Sequence, residues 1–265
     1  GEGRAGDVHL RCLIDMSSVA ELSGVRCDKG RVHLGANTGY QDFLTDGRLR
    51  RALPCMPYCA VWFADDQIRE VATLAGNLVN ASPVADGTPP VVALNGEIEL
   101  ARLEADEIRT RRIEVADFIE GPGQTQIASD EIATRVTLDT CCGYGGAFQK
   151  VGQRRSLMIS VACCAALVKT DATGTYFEDV RLALGGVGPR PIRLRQSEAM
   201  LRGERVSRGL ILRASKEAAD RVQSRSRVDY RREVVVNFVR AALEEALENR
   251  PSADSSAKTE EPANV

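Results

Sequence analysis

The sequence predicts an α+β fold in two parts, and three observations carry that prediction. Strand-like alternation and short apolar runs recur up to residue 187, as in residues 31–36 (RVHLGA). Helical periodicity then takes over from residue 196 to 249, ending in the amphipathic run SRVDYRREVVVNFVRAALEEALEN. Between the halves the composition shifts at residues 140–148 (TCCGYGGAF), the best candidate for a domain boundary. The expected domains are residues 1–142 and 143–250. A polar tail, residues 251–265, is too poor in apolar residues to be expected to fold.

The chain has 265 residues, 43% hydrophobic and 27% charged, with a formal net charge of -2. Charges of both signs are scattered along it, so it lacks the basic stripe of a nucleic-acid binder. The longest apolar run, residues 157–168, falls short of the roughly 18 residues of a membrane span. The expectation is a cytoplasmic protein without nucleic-acid or membrane partners. The first residue is Gly1 and the first methionine Met16. The sequence is therefore read as lacking the start of its polypeptide.

In chain order, residues 31–36 read as a strand entering a turn. Residues 53–71 carry apolar side chains at helical spacing, with Pro54 and Pro57 near the start, as a helix entry permits. Residues 73–90 (TLAGNLVNASPVADGTPP) match neither period and are long for a connection, so they read as a packed, functional loop. Residues 97–103 and 131–138 read as strands, separated by a short helical turn and a Gly/Pro loop. Residues 157–169 and 176–187 are two further strands.

Most chemical motifs are absent or out of context. GEGRAG at residues 1–6 matches a dinucleotide fingerprint literally, but the strand before it and the helix after it are missing. There is neither a P-loop nor a nucleophile elbow. The eight cysteines form no C-x-x-C unit, and the two histidines, His9 and His33, lie beside no cysteine cluster. The cysteines are expected to be reduced and mostly buried, with no metal site. Paired carboxylates such as Asp65 and Asp66 read as solvated faces.

Residues 63–86 stand apart. A small-residue turn at Thr73, Ala75, Gly76 and Asn77 would let backbone N–H groups approach an anionic cofactor closely. Thr73 and Asn77 add side-chain donors, and Asp86 adds an acceptor. An ordinary glycine-containing packed turn has the same composition, and spacing alone does not separate the two.

A resemblance does. FADDQIREVATLAGNLVNASPVAD resembles the flavin-binding stretch of the xanthine dehydrogenase and carbon monoxide dehydrogenase family of molybdenum hydroxylases, written Q-I-R-N-x-A-T-x-G-G-N-I-x-x-A-S-P-x-x-D. Upstream, LIDMSSVAELSGV and VHLGANTGYQDFL are similar to that family's medium subunit. So are FQKVGQRRSLMISVACCAAL, VRLALGGVGPRPIR and the closing RVDYRREVVVNFVRAALEEAL.

The resemblance implies an FAD-binding medium subunit: a flavin-binding domain of the molybdenum hydroxylase type, truncated at its N-terminal part, then a small domain of antiparallel sheet and helices. It implies that Thr73, Leu74, Ala75, Gly76 and Asn77 line the ribityl and diphosphate region. Phe63 and Ala64 would flank the same site, Asp86 would hold a polar group, and Ile132 and Ala133 would lie against the ring. Lys150 matches a lysine near the flavin, where its charge would favour the anionic reduced form. The implied partners are a molybdopterin-binding large subunit, a 2Fe-2S small subunit, and NAD or another electron acceptor. Two departures weigh on this. Ala75 replaces the first glycine of G-G-N, and nothing before Leu13 resembles the glycine-rich loop that wraps the FAD diphosphate, so the chain as given is expected to hold FAD poorly. The alternative is a scaffold subunit of such a complex that no longer carries flavin.

Overall fold

Period-two burial sorts the strands into two sheets, and the computed structural model describes residues 14–152, 158–223 and 227–251. The GEGRAG segment, Cys12 and His9, and the tail from residue 252 onward lie outside the described residues. The first half contains β1 (Val25–Asp28), β2 (Arg31–Gly35), α1 (Asp42–Thr45), α2 (Gly47–Ala52), α3 (Met56–Trp62), α4 (Asp66–Val71), α5 (Leu74–Asn80) and α6 (Thr88–Ala93). It continues with β3 (Glu97–Glu104), β4 (Glu107–Glu114), α7 (Val115–Phe118), β5 (Ile119–Gly121), β6 (Gln124–Thr125) and β7 (Ile132–Asp139). The second half contains β8 (Gly145–Gly152), β9 (Ser160–Thr170), β10 (Phe177–Gly185), β11 (Ile192–Arg193), α8 (Arg195–Leu201), α9 (Arg208–Ala219) and α10 (Val228–Glu248).

An antiparallel five-stranded sheet runs β1-β2-β7-β3-β4. Its inner face presents Val32, Leu34, Ile98, Leu100, Val136 and Leu138 to the core. Its outer face is polar: His33 meets Thr137, and Glu99 gathers Arg112 and Arg135. One solvated and one buried face is what strict alternation in an antiparallel sheet produces.

The second sheet, β11-β10-β9-β8, is buried on both faces. In β9, Cys163, Ala165 and Leu167 join the core shared with the first half, whereas Ala162, Cys164, Ala166 and Val168 face the C-terminal helices. A strand covered on both sides reads as one apolar run, which explains residues 157–168 without a membrane. Among the described residues no helix is long and apolar enough to cross one. On the outer side α10 lays down Val235, Val239, Ala242, Leu243 and Ala246, one helical face. On the inner side α3 packs against β8, and α6 against β9 and β10.

Three expectations need correcting. Residues 53–71 are not one helix: the chain breaks after Trp62, Ala64 adopts a left-handed φ of 46°, and Asp65 caps α4 by accepting from the Ile68 N–H at 3.0 Å. Residues 73–90 are not one irregular loop: they contain α5 and the opening of α6, joined by turns at residues 81–87. Thr73 caps α5, Ala81 closes it in the left-handed region, and Pro89 and Pro90 open α6. The small polar residues that looked like loop composition are helix punctuation. Finally β4, buried along almost none of its length, pairs with β3 where no strand was expected.

Candidate functional site

The expected cofactor residues gather around one short stretch, residues 36–40. Its first residue, Ala36, donates to the Thr134 carbonyl at 3.0 Å, beside a bulge in β7 where Thr134 is the extra residue opposite β3. Bulges of this kind re-aim neighbouring side chains. Here Ala133 turns toward the core and Ile132 stays exposed. Further along, the Thr38 carbonyl accepts from the Leu74 N–H at 3.0 Å, and Gly39 bridges to Thr73. The stretch thus ties the end of β7 to the start of α5.

At the start of α5 the local sequence dictates the geometry. The Thr73 hydroxyl accepts from the Gly76 N–H at 3.0 Å, and a Cβ on Gly76 would sit 2.9 Å from that hydroxyl oxygen, so glycine permits the tight cap. Leu74 and Ala75 are buried, Gly76 is exposed, and Thr73 and Asn77 are half-buried. Ala75 lies in the helical first turn and outside the left-handed region, so its methyl group carries no backbone strain.

Tyr40 closes the stretch. Its ring stacks on Phe63 with centroids 3.7 Å apart and planes 2° apart, and its hydroxyl donates to Asn77 Oδ1 at 2.9 Å. Phe63 and Ala64 are half-buried at the break after α3. Below this layer lies an ion pair. Lys150 Nζ reaches Asp86 Oδ2 at 2.5 Å and the Trp62 carbonyl at 3.1 Å, while the Ser160 hydroxyl donates to Asp86 Oδ1 at 2.5 Å. The Lys150 side chain is 0% exposed and that of Asp86 9%. Burial pushes the Asp86 carboxyl up, against the opposing pull of Lys150 and the Ser160 bond. The Cys59 thiol donates to the Asp86 carbonyl at 3.3 Å, and burial pushes the Cys59 and Cys163 thiols well up, which keeps them neutral and unreactive.

Lys150 is therefore no surface lysine, and both Asp86 oxygens are already engaged by protein donors. Asp86 is thus no open, solvent-facing acceptor: a cofactor hydroxyl would share oxygens already bound to Lys150 and Ser160. Sequence reasoning missed Tyr40 and Ser160. Tyr40 lies within the VHLGANTGYQDFL segment, but nothing in that segment singles it out. Ser160 points toward Asp86 because a bulge at Val161 reverses its face, and no spacing rule announces that. Among the described residues the seven cysteines are free thiols, five of them buried, and no cluster could hold a metal.

The first half of the chain, residues 2–139, matches the FAD binding domain in molybdopterin dehydrogenase. The chain belongs to that family. Residues 147–246 match the carbon monoxide dehydrogenase flavoprotein C-terminal domain. Among similar proteins, the glyceraldehyde dehydrogenase medium chain of Sulfolobus acidocaldarius is 29% identical over 241 residues, covering 88% of this chain and 82% of that one. The xanthine dehydrogenase FAD-binding subunit of Escherichia coli O157:H7 is 30% identical over 191 residues, 71% of this chain and 63% of that one. The match thus spans just under two thirds of the Escherichia coli subunit's length. Quinoline 2-oxidoreductase from Pseudomonas putida 86 shares the fold with a TM-score of 0.80 at 21% identity, over 89% of this chain and 82% of that one. Carbon monoxide dehydrogenase from Hydrogenophaga pseudoflava superposes with a TM-score of 0.78 at 24% identity, over 87% of this chain and 80% of that one. This member of the molybdopterin dehydrogenase FAD-binding family is thus an oxidoreductase subunit with the α+β fold expected of it.

Proposed function

We propose that this chain is the electron-transfer subunit of a molybdenum hydroxylase, carrying FAD between 2Fe-2S clusters of a small subunit and an acceptor, NAD or another. The substrate would be oxidised on a molybdopterin-binding large subunit. Residues 1–142 would carry the flavin, and residues 143–250 would back it with Lys150 and Ser160.

The observation that carries this reading is the convergence of Phe63, Asn77 and the Ile132–Ala133 end of β7 on residues 36–40. The donor set suits an FAD. Half-exposed apolar groups (Phe63, Ala64, Ile132, Ala133) stand beside neutral polar ones (Thr73, Gly76, Asn77), as a planar ring with a polyol and diphosphate tail requires. When bound, FAD supplies both hydride and single-electron chemistry. The protein's part is to orient the ring and fix the charge around it. Lys150 supports the site from beneath, holding the segment before Phe63 through the Trp62 carbonyl while Asp86 balances its charge.

A second reading, a scaffold subunit without flavin, draws on the burial of Asp86, whose two oxygens already accept from Lys150 and Ser160. A visible spectrum of the purified full-length protein separates the two. Flavin bands that bleach on reduction, and that Asn77→Ala weakens, support the electron-transfer subunit. A folded, colourless protein that takes up no added FAD overturns it.

A further inference from the structure

We infer that Tyr40 is a positioning residue for the flavin site, locking the Asn77 side-chain amide so that its NH2 group faces the cofactor as a hydrogen-bond donor. The inference rests on the reading of Asn77 as a flavin contact and adds a residue, and a polarity, that the family resemblance does not supply.

An asparagine amide can turn either end outward, and which end is free decides whether it recognises an acceptor or a donor. Here the choice is made by one directed hydrogen bond. The Tyr40 hydroxyl, pressed against Gly87, donates to Asn77 Oδ1 at 2.9 Å. Asn77 Oδ1 is thereby turned toward Tyr40, and among the described residues Nδ2 donates to no protein acceptor and is not sealed from solvent.

Packing makes the device rigid. Tyr40 is fully buried and held face to face by Phe63 and edge-on by Phe43, whose ring centroid lies 6.2 Å away. Gly87 completes it, since any Cβ there would fall on the Tyr40 hydroxyl, so only glycine lets the chain pass this close. Burial pushes the phenol well up, so the proton stays on Tyr40 at any ordinary pH. The group recognised by Asn77 is accordingly an acceptor: a phosphate, ribityl or ring oxygen, or a ring nitrogen.

A double-mutant cycle on FAD affinity in the full-length protein tests this, with the visible circular dichroism of bound flavin as a second readout. Asn77→Ala is expected to weaken FAD binding by roughly tenfold or more, and Tyr40→Phe by a few-fold to roughly tenfold, each altering the flavin dichroism. The double variant should be no weaker than Asn77→Ala alone, because Tyr40 acts through Asn77. Fully additive losses, or a Tyr40→Phe protein with wild-type affinity and dichroism, would overturn the role of Tyr40 while leaving Asn77 a contact. An Asn77→Ala protein with wild-type affinity would instead remove Asn77 from the site, and the inference with it. Should Tyr40→Phe not fold, Asn77→Asp decides. It keeps the acceptor for Tyr40 but loses the donor, and is expected to bind FAD more weakly than Asn77→Ala. Wild-type affinity there would refute the donor assignment.

Discussion

Asp86 and Lys150, 64 residues apart in sequence, meet at 2.5 Å in a place closed to water, and their contact joins the loop before α6 to the first strand of the second sheet. A buried ion pair is expensive to form and more expensive to halve. Lys150→Met should destabilise the protein by about 3–5 kcal/mol, and Asp86→Asn, which strands the buried Lys150 ammonium, by a similar amount. The deficit of Lys150→Met should also depend on pH. Burial raises the Asp86 carboxyl in the folded state, so its protonated form is the favoured one. That contribution is complete below the unfolded carboxyl value of about 3.9 and is lost as pH rises through the higher folded value. Removing Lys150 takes away a lowering influence, so the window widens upward. Denaturation midpoints measured across acid and neutral pH should show the Lys150→Met deficit shrinking toward acid; a deficit independent of pH would mean that Asp86 is not the group left stranded.

Thr73 holds α5 by its hydroxyl before it can touch any cofactor. Thr73→Val, nearly the same shape without the donor-acceptor oxygen, should cost the apoprotein about 1 kcal/mol. Thr73→Ser should restore it. If Thr73 is also a flavin contact, Thr73→Val will lose FAD affinity beyond what the stability change accounts for, and parallel thermal melts with and without FAD read the two effects separately. Equal shifts in both melts would confine Thr73 to capping.

Much of this site was legible because its residues do local jobs that leave local traces. Thr73, Gly76 and Asn77 sit within one helical turn, and their small or polar character announces a turn approached by backbone. What the trace did not reveal was whether that turn was loop or helix, since a capping threonine and a loop threonine look alike without the hydrogen bond to Gly76. The two-layer character of β9 was half visible, as an apolar run too short for a membrane. Its assignment to two different cores needed the positions of Leu167 and Val168 on opposite faces. Tyr40 and Ser160 were invisible for a plainer reason. Their partners, Asn77 and Asp86, lie 37 and 74 residues away, and sequence spacing carries no information about such contacts.

The same reasoning reinterprets the glycines at the half-way point of the chain. The segment read as a boundary begins β8, and Gly145 and Gly146 are clamped from opposite sides. A Cβ on Gly145 would strike the Ala246 carbonyl of α10, and one on Gly146 would strike the backbone of Pro54 and Cys55. Neither neighbour is a flexible side-chain end. Gly145→Ala should therefore loosen the C-terminal helix and Gly146→Ala the contact between halves, each costing about 1–3 kcal/mol. Hydrogen exchange would distinguish them: protection should fall in α10 for the first and around α3 for the second. Wild-type stability in both would show that the layers have slack at β8.

Glu131 marks the entry to β7, just ahead of Ile132, and Arg111 grips it in a fork, with Nε at 2.6 Å and Nη2 at 2.8 Å. That hydrogen bonding holds its carboxyl down to about 2, helped by the Ala128 N–H. A lowered carboxyl stabilises the folded state above its unfolded value, about 4.3, and the contribution is lost as pH falls through about 2. The Arg111 side chain is about half exposed, so screening keeps the effect small, under about 1 kcal/mol. Glu131→Gln should match wild type near pH 2 and fall behind it above pH ~4.5, with the gap narrowing in high salt. Because Glu131 anchors the residue next to Ile132, the same variant should perturb the visible spectrum of bound flavin at neutral pH if Ile132 lies against the ring. An unchanged spectrum beside a measurable loss of stability would place Ile132 away from it.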